Sequence, residues 1–372
     1  MSQRAIDEHY MRMALRLAGL ANGRTSPNPM VGAVVVKNGK LVGRGYHHRA
    51  GEPHAEAIAL EKAGRAAKGA VLYVTLEPCS HTDKRTPPCS PRVIQSGVTR
   101  VVVSMIDPNP KVSGSGIMAL QKAGIEVVPG VLEAEAKKLN EAFIKFIKTG
   151  IPFVTLKVAQ TLDGKIATSS GESKWITGGA SREAGHRLRD SNDAILVGIN
   201  TVLKDDPSLT ARIPRGRDPV RVIVDSNLRI PMQAKVINQR SSARTIVATL
   251  AAASRAKAER LRDAGVEVLF VRSARGRVNL SDLLARLGAQ GFMSVLIEGG
   301  AEVNASAISS GIVDKVVFFI APTLMTGRDS LCSIGGVSPL KLGGAKKLHD
   351  VTVEFAGMDL KVTGYLGTAR EK

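Results

Sequence analysis

Residues 71–89 read VLYVTLEPCSHTDKRTPPC and set the organisation of the first part of the chain. The apolar run over 71–76 predicts a short buried strand, and two cysteines follow it, Cys79 and Cys89, each preceded by a proline. Upstream, residues 54–67 read HAEAIALEKAGRAA and are rich in helix formers. A helix followed by a buried strand predicts a layered α/β domain.

Four side chains of this region have the pattern of a zinc centre. His54 and Glu56 form an H-x-E pair at the start of the predicted helix, and Cys79 and Cys89 follow the strand, as in zinc-dependent nucleoside and base deaminases. One imidazole and two thiolates leave zinc a fourth position for a water molecule, which the metal acidifies. Glu56 can accept the proton of that water and deliver it to the ring nitrogen and the departing amine. We predict that His54, Cys79 and Cys89 bind Zn²⁺ and that Glu56 is catalytic.

Two other interpretations of the cysteines stay open. Cys79 and Cys89 could be unrelated buried thiols, or a fourth ligand such as His81 could close the site into a structural zinc centre. With Cys332 the chain has three cysteines, which are too few for a disulfide framework. We expect Cys332 to be a buried thiol.

The rest of the chain continues the alternation of strands and helices. The expected elements of the first part are a helix over 7–22, a hairpin of 31–37 and 41–46 across Asn38-Gly39, a strand over 101–106, and helices near 115–123 and 133–147. The pattern breaks near residue 150, where a second series of apolar strands begins. These strands are expected at 153–159, 194–198, 220–225, 245–250, 266–271, 294–300 and 315–321. We predict two α/β domains, 1–147 and 151–372.

Composition restricts the classes of function. The 372 residues are 44% hydrophobic and 23% charged, as in soluble globular proteins, and no apolar run reaches the roughly 18 residues of a membrane helix. The N-terminus lacks the apolar stretch of a secretory signal, so we expect a cytoplasmic location. The net charge of +19 suits nucleic acid or small phosphorylated ligands, but eight Phe, four Tyr and one Trp are few for base stacking. We expect small anionic substrates and neither a nucleic-acid nor a membrane partner.

Two glycine-containing segments precede predicted helices. Residues 114–119, GSGIMA, match the G-x-G-x-x-G/A dinucleotide fingerprint literally, but residues 107–113 separate them from the preceding strand, so we expect no dinucleotide there. At Glu298-Gly299-Gly300 a buried strand runs directly into a helix. Paired glycines at a helix N-terminus allow backbone N–H groups to approach a diphosphate closely. A plain tight turn is the alternative at this position.

The first half of the chain resembles a known family. Segments SPNPMVGAVVV (26–36), GYHHRAGEPHAEAIAL (45–60) and VTLEPCSHTDKRTPPC (74–89) are similar to the deaminase half of the bifunctional riboflavin-biosynthesis deaminase-reductases. The resemblance covers most of residues 5–147. It implies a cytidine-deaminase-like α/β/α domain that hydrolyses the ring amino group of 2,5-diamino-6-(5-phosphoribosylamino)pyrimidin-4(3H)-one.

The same resemblance implies substrate-binding residues. Asn28 and His47 would hold the pyrimidine and phosphoribosyl parts, and Arg85 or Lys84 would contact the substrate from the cysteine loop. As alternatives, Asn28 could simply make a tight turn between two prolines, and His47 could be a solvated residue at a strand end. The loop has nine residues between its cysteines, one more than is usual in the family, which leaves the choice between Lys84 and Arg85 open.

The second half resembles the reductase of the same family. The segments at 156–168, 170–177, 196–212 and 297–303 carry the similarity, among them TLDGKIAT and IEGGAEV. The resemblance implies a dihydrofolate-reductase-like α/β domain that uses NADPH. The implied cofactor-binding residues are Ala159, Trp175, Thr201, Asp205, Ser226, Gly300, Ala301, Glu302, Val303, Asn304, Ala305 and Ser306. The implied substrate-binding residues are Ser173, Arg189, Leu209, Arg212 and Glu298.

The implied reaction is hydride transfer to C1 of the ribosyl group, opened as an imine, which gives 5-amino-6-(5-phosphoribitylamino)uracil. Arg189 and Arg212 can each grip the 5-phosphate through two charge-assisted hydrogen bonds. Lys157 on the first strand of the second half is either the catalytic group that polarises or protonates the reacting centre, or an ordinary strand lysine. Trp175 could merely belong to the core. Arg229 could meet a 2′-phosphate.

Two other classes of function are considered. An RNA or nucleoside deaminase with an appended binding domain would suit the positive charge, although such enzymes usually carry a short P-C-x-x-C motif. A non-enzymatic, zinc-stabilised interaction protein is the third hypothesis. For the bifunctional enzyme we expect a homo-oligomer.

Overall fold

The computed structural model describes residues 2–80, 87–110 and 112–367. The residues considered for the cysteine loop, His81, Lys84 and Arg85, lie outside these ranges. The chain divides into two compact units, Met1–Gly150 and Ile151–Lys372.

The first unit is built around one mixed sheet. Its strands are β1 (Gly32–Lys37), β2 (Lys40–Tyr46), β3 (Val71–Leu76), β4 (Arg100–Met105) and β5 (Glu126–Pro129). Its helices are α1 (Gln3–Gly19), α2 (Ala55–Ala63), α3 (Cys89–Gln95), α4 (Ser115–Lys122), α5 (Glu133–Leu139) and α6 (Glu141–Thr149). The sheet order is β2-β1-β3-β4-β5, with β1 antiparallel to both neighbours and β3, β4 and β5 parallel. Strands β1, β3 and β4 are buried along nearly their whole length, as expected of a sheet covered on both faces.

Glycines in β2 fix the position of α2, the helix that begins after His54. A Cβ atom at Gly43 would lie 2.2 Å from the carbonyl oxygen of Ala59, and one at Gly45 would lie 2.7 Å from that of Ala55. Because no side chain fits in these gaps, only glycine allows α2 to pack so closely on the sheet. The hairpin therefore places the start of α2.

The second unit contains a larger sheet with a parallel centre. Its main strands are β6 (Phe153–Thr161), β8 (Ala194–Gly198), β9 (Val220–Val224), β10 (Thr245–Thr249), β11 (Glu267–Phe270), β14 (Ser294–Ile297), β15 (Lys315–Ala321), β17 (His349–Ala356) and β18 (Asp359–Tyr365). Four short strands form two separate pairs, β7 (Lys165–Ala167) with β16 (Leu331–Cys332), and β12 (Ser273–Ala274) with β13 (Arg277–Val278). The helices are α7 (Gly179–Ser191), α8 (Ile199–Asp205), α9 (Lys235–Asn238), α10 (Arg255–Asp263), α11 (Leu280–Ala289) and α12 (Ala301–Ser309).

The strand order of the larger sheet is β11-β10-β9-β8-β14-β6-β15-β18-β17. All pairs from β11 to β15 are parallel, and β18 and β17 are added antiparallel at one edge. The carboxyl ends of parallel strands meet at one edge of the sheet, and ligands of open α/β sheets bind there. No helix of the described residues is both long and apolar enough to cross a membrane.

The structure differs from the predicted elements in two places. The single helix expected near 133–147 is two helices, α5 and α6, that meet at Asn140. The Asn140 side chain accepts from the N–H of Met30 at 2.8 Å and donates to its carbonyl oxygen at 3.0 Å, so it binds another segment at the break. Seven strands were not predicted. Five of them have at most four residues (β5, β7, β12, β13 and β16), β17 is exposed and β18 is mostly half-buried, so none gives a long buried apolar run.

Candidate active sites

Three elements of the first unit bring the predicted zinc ligands together. His54 is the N-cap of α2, Cys89 is the first residue of α3, and Cys79 follows β3. His54 Nδ1 lies 3.2 Å from Cys89 Sγ and 3.6 Å from Cys79 Sγ, and the three ligand atoms lie within 4.8 Å of one another. Tetrahedral zinc with ordinary bond lengths separates nitrogen and sulfur ligands by about 3.6 Å. The donor set therefore fits Zn²⁺ in both chemistry and spacing.

Glu56 is buried in the first turn of α2, beside these ligands. Burial raises the pKa of its carboxyl group above the usual value, although the nearby His54 opposes the shift. A hydrogen bond to Cys79 and burial also raise the pKa of the Cys89 thiol. A bound cation would favour the thiolate forms of both cysteines. The cluster thus combines metal ligands with a carboxyl group suited to proton transfer.

Asn28 and His47 meet beside the zinc ligands. Asn28 Nδ2 lies 3.0 Å from His47 Nε2, and His47 Nδ1 lies 3.2 Å from the carbonyl oxygen of Pro53. Because that carbonyl can only accept, Nδ1 carries the proton and Nε2 accepts from the Asn28 amide. Burial lowers the pKa of His47, whose ring centroid lies 5.3 Å from that of His54. The structure therefore places a buried, neutral imidazole here, and the alternative of a solvated histidine is wrong.

Sequence reasoning missed Glu77, which directly follows β3. Its buried carboxylate accepts hydrogen bonds from four backbone N–H groups, those of Asp107 at 3.2 Å, Gly114 at 2.9 Å, Gly116 at 2.8 Å and Ile117 at 3.2 Å. Three of these groups lie at the start of α4, where an anion is favoured by the helix dipole. The segment that matches the dinucleotide fingerprint thus already binds an internal carboxylate. The sequence signal was a charged residue directly after a buried strand.

In the second unit, Glu298 lies between two cations. It follows β14 and accepts hydrogen bonds from Arg189 Nε and Nη2, both at 2.8 Å, while Lys157 Nζ lies 3.6 Å from its Oε2. Burial favours the neutral form of Glu298, but attraction to Arg189 and Lys157 outweighs burial and lowers its pKa to about 2. The three side chains form one half-buried charge network.

Arg189 also donates to the carbonyl oxygen of Thr210, at 3.1 Å. The pair of N–H groups expected to grip a phosphate is therefore bound to Glu298. Of the five N–H groups of a guanidinium, two remain without a partner among the described residues. Arg189 can still contact an anion, but through these two groups.

Two cavities hold most of the predicted reductase residues. The larger, of 690 Å³, is lined by the predicted residues Thr201, Asp205, Ser226, Glu298, Gly300, Ala301, Glu302, Val303 and Ser306. The smaller, of 220 Å³, is lined by Lys157, Ala159, Trp175, Arg189 and Arg212. Ile166, Ser173 and Asp205 line both, so the two cavities adjoin.

The larger cavity lies at the start of α12. Gly300 is the N-cap, and no side chain of the described residues caps this helix. A Cβ atom at Gly300 would meet nothing within 4 Å, whereas one at Gly299 would lie 2.7 Å from the Val303 Cβ atom. Uncapped N–H groups beside a cavity are suited to a diphosphate. The residues present therefore fit a dinucleotide such as NADPH.

Three predicted residues line neither cavity. Leu209 is buried in a hydrophobic cluster with residues of β8 and β9. Asn304 is buried, and its amide donates to the carbonyl oxygen of Ser333 at 2.9 Å. Ala305 packs against the chain at Gly336, where a Cβ atom would lie 2.9 Å from that of Ala305. The structure does not bring these side chains together with the others.

The core alternative for Trp175 and the expected burial of Cys332 are both wrong. Trp175 is not a core residue, because it is 65% exposed and the guanidinium of Arg182 lies 4.8 Å from its ring centroid. Cys332 is not a buried thiol, because it is exposed in the short strand β16, where its sulfur lies 3.5 Å from Lys165 Nζ. Neither side chain belongs to a hydrophobic core.

Two family models match the chain. The model of the cytidine and deoxycytidylate deaminase zinc-binding region matches residues 4–105. The model of the RibD C-terminal domain matches residues 152–361.

Relatives match both units together. The chain is 49% identical to the riboflavin biosynthesis protein RibD of Aquifex aeolicus over 360 residues, 96% of this chain and 98% of the relative. It is 42% identical to RibD of Escherichia coli over 369 residues, 95% and 98% of the two chains. A solved deaminase/reductase from Thermotoga maritima is 38% identical, covers 98% of this chain and 100% of its own, and superposes with a TM-score of 0.85. The similarity therefore extends over nearly the whole chain.

Proposed function

This chain belongs to the RibD family of riboflavin-biosynthesis proteins, and from that premise we propose how its residues carry out two reactions. It is a bifunctional enzyme with a zinc-binding deaminase unit and a reductase unit. Its deaminase converts 2,5-diamino-6-(5-phosphoribosylamino)pyrimidin-4(3H)-one to the uracil, and its reductase converts the ribosyl group to a ribityl chain. The matches support this function and not the RNA-deaminase alternative.

In the first unit, His54, Cys79 and Cys89 would hold Zn²⁺. Bound there, the metal would supply an acidified water molecule as the nucleophile for the ring carbon that carries the amino group. Glu56 would take up one proton of that water and deliver it to the ring nitrogen. It would then carry the second proton from the new C–OH group to the amino group, which leaves as ammonia as the carbonyl forms. The position of Glu56, buried in the first turn of α2 two residues after His54, supports this role.

Asn28 and His47 hold the pyrimidine. His47 is neutral and donates to Pro53, so its free nitrogen accepts from the Asn28 amide and fixes the orientation of that side chain. The side-chain oxygen of Asn28 can then accept a hydrogen bond from a ring N–H group. Arg85 remains the proposed contact from the cysteine loop, outside the described residues.

In the second unit, the smaller cavity holds the phosphoribosyl group. Arg212 and the two remaining N–H groups of Arg189 bind the 5-phosphate there. The residues of the larger cavity would hold NADPH, which would supply the hydride for C1 of the opened ribosyl chain when bound. Lys157, whose ammonium group Glu298 orients, donates the proton to the imine nitrogen, so that hydride and proton together give the amine.

Two arrangements of side chains, one in each unit, carry this proposal. The first unit holds a His-Cys-Cys cluster beside a buried glutamate. The second unit holds an uncapped glycine turn on a cavity that adjoins the half-buried cations Lys157 and Arg189. The first arrangement suits hydrolytic deamination and the second suits hydride transfer to a phosphorylated sugar. The two reactions can be measured separately.

Glu56→Gln tests the first unit. Because a positioned acid–base group contributes roughly 10²–10⁴-fold, we expect ammonia release from zinc-loaded protein to fall by that factor. NADPH oxidation with the deaminated substrate should be unchanged. Glu61→Gln, an exposed residue of the same helix, is the matched control. Normal ammonia release by the Glu56→Gln protein would overturn the assignment and favour a structural zinc site.

Lys157→Ala tests the second unit. We expect NADPH oxidation to fall by about 10²-fold or more, because the proton donor is lost, while ammonia release stays at the wild-type rate. Lys361→Ala, in β18 of the same sheet, is the control. Wild-type NADPH oxidation without Lys157 would show that it is an ordinary strand lysine.

The homo-oligomer is proposed to form through one face of β17 and β18. Val353 and Phe355 are 61% and 79% exposed, and they pair in register with Val362 and Leu360 on the neighbouring strand. An apolar sheet face next to an open edge strand favours association, and a second copy offers the same self-complementary surface. This surface supports a dimer of identical chains.

Phe355→Asp tests this dimer by light scattering after size-exclusion chromatography. The wild type should have the mass of at least two chains, and the variant should shift toward one chain, because a carboxylate would be buried in the interface. Glu354→Gln, on the opposite face of the strand, should keep the wild-type mass. A monomeric wild type, or an unshifted Phe355→Asp protein, would refute the proposed interface.

A further inference from the structure

The larger cavity of the second unit extends along three neighbouring parallel strands, β14, β8 and β9. Gly300 lines it beyond β14, Gly198 at the end of β8, and Ser226 beyond β9. Neighbouring strands are about 4.8 Å apart, so β9 lies about 10 Å from β14 and about 14 Å from β6, which carries Lys157. We call the end of the cavity nearest to β6 and Lys157 the β6 end, and the opposite end, at Ser226, the β9 end.

The smaller cavity sets the direction in which a dinucleotide can bind. Hydride transfer requires the nicotinamide to lie where the two cavities adjoin, near Ser173 and Lys157. The diphosphate fits the uncapped turn at Gly300, in the middle. The adenosine must then lie at the β9 end. Its 2′ position is the one at which NADPH differs from NADH.

Two exposed arginines line the cavity toward this end. Arg229 Nη2 donates to Asn200 Oδ1 at 2.8 Å, which aligns the guanidinium with another cavity-lining residue. Arg277 Nη1 lies 3.0 Å from Glu302 Oε2. Each guanidinium has five N–H donors, and each of these contacts uses only some of them, so further N–H groups can bind an anion. The β9 end thus presents positive charge.

The neighbouring residues also favour a phosphate over a hydroxyl group. Ser226 Oγ accepts from the N–H of Val278 at 3.1 Å, so its hydroxyl hydrogen can still be donated to a phosphate oxygen. An NADH site would present a carboxylate to the ribose hydroxyls. Asp225 is the acidic residue at this strand end and lines the cavity, but its side chain is fully buried. Its Oδ2 accepts from the N–H of Ile230 at 2.8 Å, and its Oδ1 is buried without a partner among the described residues, so the carboxylate is not exposed to a ribose.

We propose that Arg229, Arg277 and Ser226 bind the 2′-phosphate of NADPH and thereby select NADPH over NADH. Guanidinium groups suit this role because their planar N–H forks match phosphate oxygens and are weakly hydrated. Arg277 exchanges its contact with Glu302 for the phosphate. The inference rests on the cofactor site proposed above and adds the residues that determine its specificity.

Fluorescence titration of the substrate-free protein with NADPH and with NADH tests this proposal. The wild type should bind NADPH at least about tenfold more tightly than NADH. Arg229→Gln and Arg277→Gln should each raise the Kd for NADPH by about tenfold and leave the Kd for NADH nearly unchanged. Arg275→Gln is the matched control, because Arg275 is exposed in the same turn as Arg277 but does not line the cavity.

The possible outcomes are distinguishable. Unchanged NADPH affinity in both variants would overturn the assignment. An equal loss of affinity for NADPH and NADH would also overturn it, because such a loss would mean a general effect on the cavity. Equal affinity of the wild type for NADPH and NADH would also overturn it. Binding of neither nucleotide to the wild type would instead refute the proposed cofactor site itself.

Discussion

The turns that begin α4 and α12 both contain two glycines, but different groups meet their backbone N–H donors. At α4 the carboxylate of Glu77 accepts from Gly114 and Gly116. At α12 no described side chain caps the helix, and a 690 Å³ cavity lies beside it. The literal dinucleotide fingerprint belongs to α4, yet the open anion site belongs to α12. Whether a helix N-terminus can bind a ligand therefore depends on whether the chain already supplies an anion there.

The glycines themselves also serve different purposes. A Cβ atom at Gly116 would lie 1.9 Å from the carbonyl oxygen of Pro78, so this glycine allows α4 to pack against the strand end before Cys79. A Cβ atom at Gly300 would meet nothing within 4 Å. Glycine serves packing of the chain at the first turn and leaves room for a ligand at the second. Substitutions can separate these two purposes.

Glu77→Ala should have the largest effect of the substitutions considered. Four backbone N–H groups, three of them in buried hydrogen bonds, would lose their acceptor, so we expect the free energy of unfolding of the first unit to fall by about 4 kcal/mol. Hydrogen exchange followed by mass spectrometry should accelerate at residues 107–122 and not at 300–309. Glu126→Ala, at an exposed carboxylate of the same unit, is the control. Unchanged exchange at 107–122 would show that Glu77 does not hold the turn.

Glu298, next to the second turn, should stabilise the protein in a pH-dependent way. Its folded pKa of about 2 lies below the ordinary value of 4.5, because Arg189 and Lys157 favour the carboxylate despite its burial. This stabilisation, about 3 kcal/mol, is therefore fully present above about pH 4.5 and is lost as the pH falls toward 2. The difference in unfolding free energy between wild type and Glu298→Gln should shrink by at least half between about pH 7 and about pH 3.

The control for this pH dependence is Glu302→Gln, because Glu302 is an exposed carboxylate in the first turn of α12. The difference in unfolding free energy between the Glu302→Gln protein and the wild type should stay small at every pH. A difference for Glu298→Gln that is constant with pH would show that its carboxylate does not gain stability from the two cations.

The sequence predicted the zinc cluster because its pattern is local. His54, Cys79 and Cys89 lie at the ends of a helix and a strand that are themselves visible as short runs, and the structure brings their ligand atoms within 4.8 Å. The parallel strands were visible for the same reason, since each is a buried apolar run. Features that depend on a single helix or strand can therefore be predicted from one sequence.

Contacts between distant segments could not be predicted. Glu77 accepts from residues 30 to 40 positions away, and Arg189 binds Glu298 across 109 positions, so neither pairing has a spacing that identifies it. We expected Arg189 to bind a phosphate through two hydrogen bonds, because the sequence does not show that the carboxylate of Glu298 accepts from the same N–H groups. The fingerprint at 114–119 misleads for the same reason, because the carboxylate that occupies it comes from another strand.

Gly116→Ala should destabilise the first unit by about 2 kcal/mol, because the added methyl group overlaps a backbone oxygen and the helix must shift. Its effect should be limited to the deaminase, with NADPH affinity unchanged. Gly19→Ala, in a helix of the same unit where a Cβ atom meets nothing within 4 Å, is the control for stability. A Gly116→Ala protein as stable as the wild type would mean that α4 can move away from Pro78 without cost.

Gly300→Ala should show the opposite behaviour and the smallest effect. Its φ of −79° is accessible to alanine and its Cβ atom meets no other atom, so stability should change by only a few tenths of a kcal/mol. The methyl group would instead hinder close approach of a diphosphate, which NADPH and NADH share, and should weaken both by about tenfold. Arg229→Gln, by contrast, should weaken NADPH alone. If Gly300→Ala lowered stability and left both affinities intact, the turn at α12 would serve packing, as the turn at α4 does.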